Sequence, residues 1–348
     1  MSSGALPALH CASTLPCMQA IVMTATGGPE VLQEQQLPQP EIRDPGEMRV
    51  RLKAAGVNPV DTKLRAGGLY FSDGMPAILG CDGAGTVDAV GDAVDGFAPG
   101  DEVFFCYGGL GQPSGNYAEY TLLPAFAAAK KPVSVNFAQA AAAPLVLITA
   151  WEAMFDRAGM QAGQKVFIHA GAGGVGHVAI QLARIAGCEV ATSVSGDEKA
   201  EFVRELGVDH VINYREQDVT EALLAWTDGV GVDIAFDTVG GAAFTQLIPA
   251  VRVYGDLVSI LQVPPETDWK TLRLRNIRVS QELMLTPMVL GLNDALSHHA
   301  DILTRCAAWM ADGKLKVHVS HRLPLADAAE AHRLIAAGSM LGKIVLDI

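Results

Sequence analysis

The chain is 348 residues long, which predicts about two domains. Half of its residues are apolar and 18% are charged, a composition that supports a large buried core and argues against intrinsic disorder. The net charge of −13, with no basic stripe, argues against nucleic acid and anionic membranes as partners. No apolar run reaches the ~20 residues of a membrane span. Six cysteines are scattered without CxxC pairs, so a reducing, cytoplasmic location is expected.

The first part of the chain predicts a mainly β domain. Residues 1–17 contain no Lys or Arg, so they do not make a signal peptide, and they are interpreted as a disordered extension or as residues ahead of the true start. From Met18 to about Ala142, short β-like runs alternate with turns that contain Gly, Pro, Asp or Asn. The predicted strands include residues 48–54, 85–90, 102–105 and 117–122.

The pattern changes near Pro144, where strands and helices begin to alternate. Such alternation indicates a parallel sheet with helices on both faces, and we assign it to residues 143–285. The last part, residues 286–348, resembles neither half strongly. The predicted strands are 166–169, 189–194, 210–213, 232–237, 257–260, 277–282 and 343–347, and the predicted helices include 197–206, 219–226, 294–311 and 326–337.

The most informative stretch is residues 165–187, which predicts a strand, a glycine turn and a helix. The apolar run Val166–His169 ends in a GxGxxG turn, and apolar residues then recur at helical spacing. Glycines allow a tight turn and close approach of a pyrophosphate, and the N-terminus of the helix favours its charge. The alternative is a plain strand-to-helix turn. The predicted cofactor-binding residues of the turn are Gly171, Ala172, Gly173, Gly174, Val175 and Gly176.

The end of the second strand of this unit bears on the choice between NADPH and NADH. NAD-specific sites place an Asp or Glu there, about 20 residues past the turn, for the ribose 2′-hydroxyl. This strand ends without a carboxylate, which leaves room for a 2′-phosphate, and Ser193 and Ser195 can donate hydrogen bonds to it. NADPH is therefore favoured over NADH. The acidic residues Asp197 and Glu198 weigh slightly the other way.

Several segments together carry a family resemblance over nearly the whole chain from Met18. The chain resembles the medium-chain dehydrogenase/reductase superfamily, in its zinc-independent quinone oxidoreductase (zeta-crystallin-like) branch. The resemblance implies a GroES-like, mainly β catalytic domain built from both chain ends and a Rossmann domain, a doubly wound parallel sheet, inserted between them. The active site would lie in the cleft. The segments that carry the resemblance are the glycine turn and residues 55–61, 80–85, 100–103, 115–120 and 342–346.

The resemblance also implies residues that hold the cofactor. A Ser, together with Lys199 and Tyr214, would bind the 2′-phosphate of NADPH. Lys343, near the C-terminus, would lie near the cofactor. The alternative for Lys199 and Lys343 is an ordinary surface lysine.

Three further residues are candidates for the chemical step. Asn58 matches the family's active-site Asn, and its amide either donates to a carbonyl or organises the turn before Pro59. Thr149 resembles the family's Thr near the nicotinamide. Tyr70 lies on a loop that either covers the cleft or packs against the domain.

No metal site is expected. Where zinc-dependent relatives carry a Cys and a His-Glu pair, this chain has Asn58–Asp61 and Cys81 beside Asp82, which supply two ligands at most. Cys106 alone lies where those relatives have a four-Cys lobe. Cys81 is expected to be a small buried residue and His169 a histidine satisfied at a strand end.

The sequence therefore predicts an NADPH-dependent, zinc-independent oxidoreductase that transfers a hydride to a quinone or an α,β-unsaturated carbonyl compound. The alternatives are an alcohol dehydrogenase or aldehyde reductase of the same superfamily, and a non-catalytic NADPH-binding (crystallin-like) protein. The resemblance implies a homodimer formed through edge strands of the Rossmann sheet. The candidate edge strand is residues 277–282.

Overall fold

The computed structural model of the chain describes residues 16–71, 73–112, 115–338 and 340–348. Most of the expected N-terminal extension lies outside these residues. Cys17, assigned to that extension, instead begins the first strand, where it is paired with Pro38.

The strands are β1 (Cys17–Met23), β2 (Leu32–Pro38), β3 (Glu47–Val57), β4 (Ala77–Ile78), β5 (Asp82–Val90), β6 (Glu102–Cys106), β7 (Tyr120–Pro124), β8 (Ala128–Lys130), β9 (Lys165–Ile168), β10 (Glu189–Val194), β11 (His210–Asn213), β12 (Val232–Asp237), β13 (Val251–Ser259), β14 (Arg278–Gln281), β15 (Val319–Pro324) and β16 (Lys343–Asp347). The helices are α1 (Pro59–Gly67), α2 (Phe137–Ala142), α3 (Pro144–Trp151), which continues as a π-helix (Glu152–Arg157), α4 (Gly174–Ile185), α5 (Asp197–Glu205), α6 (Val219–Trp226), α7 (Ala242–Leu247), α8 (Trp269–Leu274), α9 (Thr286–Leu290), α10 (Asn293–Ala311) and α11 (Ala328–Ala337).

The middle of the chain forms the predicted doubly wound sheet. Six parallel strands lie in the order β11-β10-β9-β12-β13-β14, which is the arrangement of a dinucleotide-binding fold. Successive residues of β9 enter different cores: Val166 and Ile168 pack with α3 and α4, whereas Phe167 packs with α6 and α7. Both faces of the sheet are therefore covered by helices, as predicted.

The two ends of the chain build one β-rich unit. Strand β16 pairs antiparallel with β3, and β3 pairs antiparallel with β5, so the closing strand joins a seven-stranded sheet made mostly by the first part of the chain. The α/β fold class, with a parallel sheet beside a mainly β unit, is confirmed. Because β16 is paired with β3, with Ile344 opposite Val57, the residue that follows β3, Asn58, lies beside the first residue of β16, Lys343.

Several boundaries differ from the prediction. The segment predicted as a strand at 117–122 is a strand only from Tyr120, because Tyr117 instead bonds through its backbone to Leu79 and Ile21, and Ala118 makes a single bridge to Ala20. Strand β13 starts six residues earlier than the predicted 257, at Val251. No helix in the described part of the chain is long and apolar enough to cross a membrane.

Candidate active site

A cleft of about 260 Å³ lies between the parallel sheet and the β-rich unit. It opens at the carboxyl ends of β9, β12 and β13, where ligands bind in sheets of this kind. The end of β3 and the start of β16 form the opposite wall. Its lining residues are Val57, Asn58, Pro59, Leu145, Val146, Ala170, Gly173, Gly174, Val175, Gly176, Thr238, Ile260, Ile335, Gly338, Met340, Gly342, Lys343 and Ile344.

Two glycines of the turn are required by packing. A Cβ on Gly171 would lie 2.1 Å from Thr192 Oγ1, so this residue lets the turn approach β10. A Cβ on Gly176 would lie 2.4 Å from the carbonyl oxygen of Ala170, so this residue lets α4 approach β9. Both contacts are shorter than any side chain tolerates, and the sequence pattern follows from them.

The other two glycines face the cleft. A Cβ on Gly173 would lie 3.2 Å from Ala170 O, and one on Gly174 would lie 3.3 Å from Lys343 Cδ. Gly173 precedes the first turn of α4, and among the described residues no side chain caps that helix. The N–H groups of the first helical turn have no partner within the helix, and the residues that carry them line the cleft. This arrangement fits the pyrophosphate of a dinucleotide.

The opposite wall contains a buried charged network. Lys343 Nζ donates to Asn58 Oδ1 and to Val57 O (3.1 Å), and it lies 3.7 Å from Asp82 Oδ2. Asn58 Nδ2 donates to the same Asp82 oxygen at 2.9 Å. The other oxygen of Asp82 accepts from the N–H of Leu145, in the first turn of α3, at 2.8 Å. Asn58 and Asp82 are fully buried.

Lys343 is also tied to the glycine turn. The N–H of Gly342 donates to Ala172 O at 3.0 Å, and the stem of Lys343 passes Gly174. Burial lowers the pKa of Lys343, and the nearby carboxylates of Asp82 and Asp61 act in the opposite direction. A single side chain thus connects the glycine turn to Asn58.

Asp61 extends the network away from the cleft. Its Oδ2 accepts from the backbone N–H of Asn58 (2.8 Å) and from the hydroxyl of Tyr117 (3.0 Å), so it holds the start of α1. Burial raises the pKa of Asp61 to about 7, and the charge of Asp82 acts in the same direction. Near neutral pH, one lysine therefore faces one or two carboxylates.

The end of β10 separates the two predicted serines. Ser193 is fully buried, and its hydroxyl accepts from the N–H of Ala170 at 3.0 Å, so it holds the glycine turn. Ser195 and Lys199 are half-buried beyond it, and Tyr214 is 50% exposed. The N–H of Tyr214 bonds to Val194 O at 3.1 Å, which brings the end of β11 beside the end of β10.

The two remaining candidates lie outside the cleft lining. Thr149 is buried on α3 and its hydroxyl donates to Leu145 O at 2.7 Å, one turn earlier in the helix. Tyr70 follows α1 and is 45% exposed. Asn58 and Lys343 are thus the two predicted residues that line the cleft together with the glycine turn.

Three residues of the site are absent from the sequence-based candidates. The sequence pattern indicates Asp82 only as a possible metal ligand, and the predicted site residues do not include Thr238 or Asp237. Thr238 lines the cleft and its hydroxyl donates to His169 O at 2.8 Å. Burial tends to raise the pKa of Asp237, but hydrogen bonds from His169, Gly240, Ser259 and Val239 lower it below its usual value. The sequence signal for Asp237 is a carboxylate at the end of a predicted strand, followed closely by Gly240 and Gly241.

The potential metal ligands near the cleft are engaged elsewhere. Both oxygens of Asp82 are occupied, and the thiols of Cys81 and Cys106 are buried and hydrogen-bonded to each other. His169 Nδ1 lies 3.2 Å from Asp237 Oδ1, as expected for a histidine satisfied at a strand end. Among the described residues, no group of three or more His, Cys, Asp or Glu side chains is arranged to hold a metal ion.

Comparison with known proteins gives matches over most of the chain. A family model described as an alcohol dehydrogenase GroES-like domain matches residues 44–133, and one described as a zinc-binding dehydrogenase matches residues 206–346. The quinone oxidoreductase of Pseudomonas aeruginosa is 34% identical, over 94% of this chain and 98% of that protein. A mycocerosic acid synthase-like polyketide synthase of Mycobacterium tuberculosis is 32% identical over 87% of this chain, which spans only 14% of that protein.

Solved structures of similar proteins also match over most of the chain. The quinone oxidoreductase of Escherichia coli, complexed with NADPH, is 28% identical with a TM-score of 0.83, over 95% of this chain and 100% of that one. An NAD-dependent alcohol dehydrogenase is 33% identical with a TM-score of 0.85, also over 95% of this chain and 100% of that one. The overall fold is therefore shared with both kinds of protein.

Proposed function

The chain belongs to the medium-chain dehydrogenase/reductase superfamily, and we propose that it is an NADPH-dependent, zinc-independent oxidoreductase that reduces a quinone or an α,β-unsaturated carbonyl compound. One observation carries the proposal. The glycine turn and the Asn58–Lys343 pair line the same cleft, so a dinucleotide site faces a buried hydrogen-bonding group. The similarity to quinone oxidoreductases over nearly full length supports this choice.

The proposed cofactor is NADPH. The N-terminus of α4 would bind the pyrophosphate, and Ser195, Lys199 and Tyr214 would bind the 2′-phosphate beside the ends of β10 and β11. Arg215, exposed next to Tyr214, adds a further positive charge at this edge. The buried Ser193 would support the turn instead. The E. coli quinone oxidoreductase in its NADPH complex lends support through its likeness in fold.

Asn58 is the proposed partner of the substrate oxygen. When bound, NADPH supplies the hydride, and negative charge then develops on the oxygen of the acceptor. The Oδ1 atom of Asn58 accepts from Lys343 and one Nδ2 hydrogen is donated to Asp82, so one N–H donor of the amide has no partner among the described residues. A donor is what a hydroquinone anion or an enolate requires. Thr149 and Tyr70 stay predictions for contacts with the nicotinamide or the substrate.

We propose that the reaction proceeds without a metal ion. The proposal rests on the donor set, because a cation at Asp82 would have to displace Lys343 and the N–H of Leu145. A metal ion held within about 4 Å of the Lys343 ammonium in a buried site would be repelled by its like charge. A cytoplasmic location, expected from the cysteines, stays a prediction.

An alcohol dehydrogenase or aldehyde reductase is the second candidate. The NAD-dependent alcohol dehydrogenase, with 33% identity and a TM-score of 0.85, favours it. The fold of the cleft does not distinguish the two reactions. Use of NADH, together with oxidation of alcohols, would decide for this candidate.

We also propose a homodimer through β14, an edge strand of the parallel sheet in the described part of the chain. An unpaired edge strand is usually covered or paired with another chain. Large apolar side chains around this edge are exposed, among them Tyr254 (68%) and Leu274 (79%). A second copy of the chain would bury them.

The test is a panel of quinones, enones and aldehydes assayed with NADPH and with NADH, each with and without a chelator. The proposal predicts oxidation of NADPH by a quinone or an enone, faster than oxidation of NADH, and unchanged by the chelator. Lys199→Ala is expected to raise the KM for NADPH and leave the KM for NADH unchanged. No oxidation with any acceptor, or loss of activity with the chelator, would overturn the proposal.

A further inference from the structure

We infer that Lys343 is a positioning residue that acts through the amide of Asn58, rather than a ligand of the cofactor. The inference rests on the proposed function, because it concerns the group that would meet the substrate oxygen. It assigns to Lys343 a role different from the one that the family resemblance implies.

The first argument is the direction of the ammonium group. Lys343 has three N–H donors, and its partners are Val57 O, Asn58 Oδ1 and the carboxylate of Asp82. All three partners lie on the wall opposite the glycine turn. The side chain is only 3% exposed, so the charge is not available to a phosphate at the start of α4.

The second argument is the effect of this charge on the Asn58 amide. A cation on Oδ1 and an anion on Nδ2 fix the amide in one orientation and polarise it in one direction. Chains of hydrogen bonds strengthen one another at low dielectric. The positive charge on Oδ1 withdraws electron density from the amide, so the N–H that remains is a stronger donor toward an oxyanion with Lys343 present than without it.

The third argument is the charge balance of the wall. Without Lys343, the buried carboxylate of Asp82 would be left uncompensated, 2.9 Å from the group that faces the developing charge. Like charges repel strongly in such a site. Lys343 thus removes a repulsion as well as holding the amide.

A double-mutant cycle on the full-length protein tests the inference. Lys343→Met keeps the stem and removes the charge, and it is expected to lower kcat by about 10–100-fold, the range for groups that orient a reacting group. In the Asn58→Ala background the same change is expected to lower kcat by less than about threefold, because the amide is gone and only the repulsion from Asp82 is left. Lys343→Arg is expected to recover part of the loss. The NADPH dissociation constant, from cofactor fluorescence, is expected to change by less than about threefold.

A matched control is Lys131→Met. Lys131 is also a buried lysine, bonded to Val135 O and Pro132 O and paired with Glu102, but it lies outside the cleft lining. The substitution Lys131→Met is expected to lower the free energy of unfolding without changing kcat. If Lys343→Met does not fold, Lys343→Gln, which keeps a donor, is taken through the same cycle.

Two results would overturn the inference. One is a rise of more than tenfold in the NADPH dissociation constant, in both backgrounds, which would make Lys343 a cofactor ligand. The other is additivity of the two substitutions in kcat.

A binding measurement keeps the inference separate from the proposed function. With protein loaded with NADP⁺, 4-nitrophenolate serves as a stable mimic of the anionic product, and its absorbance reports binding. Lys343→Met is expected to weaken phenolate binding in the parent protein and to weaken it less in the Asn58→Ala background, where only the repulsion from Asp82 remains. Equal weakening in both backgrounds, or no phenolate binding to the parent protein, counts against the inference whether or not any quinone or enone is reduced.

Discussion

Replacing Asp61 with asparagine is expected to remove a pH-dependent loss of stability. The structure makes the exchange nearly isosteric, because both hydrogen bonds to this carboxylate, from Asn58 N–H and Tyr117 OH, end on Oδ2. The other oxygen, Oδ1, has no partner among the described residues. In Asp61→Asn the amide oxygen takes the place of Oδ2 and the NH2 group takes the place of Oδ1, so the substitution keeps both hydrogen bonds and removes the charge.

The magnitude follows from the pKa. Burial raises the pKa of Asp61 from 3.8 to about 7, a change of about three units. Since one unit corresponds to about 1.36 kcal/mol, the largest effect is about 4 kcal/mol. Below pH ~4 both folded and unfolded chains hold the proton, and above about 7 both release it. Between these values the folded chain binds more protons, so the stability of the parent falls as the pH rises.

Urea unfolding of the parent and Asp61→Asn between pH 5 and 8 measures this effect. We expect the stability of the variant to gain about 2–3 kcal/mol on the parent over that range, because the part of the titration below pH 5 is not sampled. Asp228→Asn, which removes an exposed charge at the surface, is the control and is expected to track the parent. The reasoning would be refuted if the free energy of unfolding of Asp61→Asn, relative to that of the parent, stayed constant or fell as the pH rises.

Three further predictions concern the glycine turn, metal ions and the dimer. Gly176→Ala should lower the free energy of unfolding by about 1–3 kcal/mol, because its side chain would clash with Ala170 O. Gly174→Ala, whose side chain would meet only the Lys343 stem, should keep its stability in urea unfolding but weaken NADPH binding in fluorescence titration. Equal effects of the two substitutions would contradict the assignment of the turn. Dialysis against a chelator should leave the rate of quinone or enone reduction and the melting temperature unchanged, and recovery of a lost rate by zinc would contradict the donor-set argument. Leu274→Glu should shift the protein toward monomer in light scattering, whereas Val133→Glu, at an exposed apolar site between β8 and α2, should not. A shift with both variants or with neither would argue against the β14 interface.

The parallel sheet could be predicted because its signals are local. Strands β10, β11 and β12 begin and end at the predicted residues, since each is a short apolar run bounded by turns or helices. The glycine spacing is equally local, because Gly171 and Gly176 are required by contacts within one strand, turn and helix. Such features need no knowledge of the distant chain.

The charged wall of the cleft could not be predicted in the same way. Lys343 and Asn58 are 285 positions apart, so no pattern along the sequence shows that they bond. Asp82 appeared only as a poor metal ligand beside Cys81, because its partner cation comes from the far end of the chain. The sequence indicates Ser193 as an accessible donor at a strand end, whereas it is fully buried and its hydroxyl accepts from Ala170 N–H.

Stopped-flow mixing of NADPH-loaded protein with a quinone and with an enone tests the central claim most directly. The assay follows NADPH absorbance and compares NADPH with NADPH carrying deuterium at the transferred position. The account predicts single-turnover oxidation with at least one acceptor, slower with deuterium, and less efficient when NADH replaces NADPH. An absorbance that stays unchanged with both acceptors, or NADH that equals or exceeds NADPH, would contradict it.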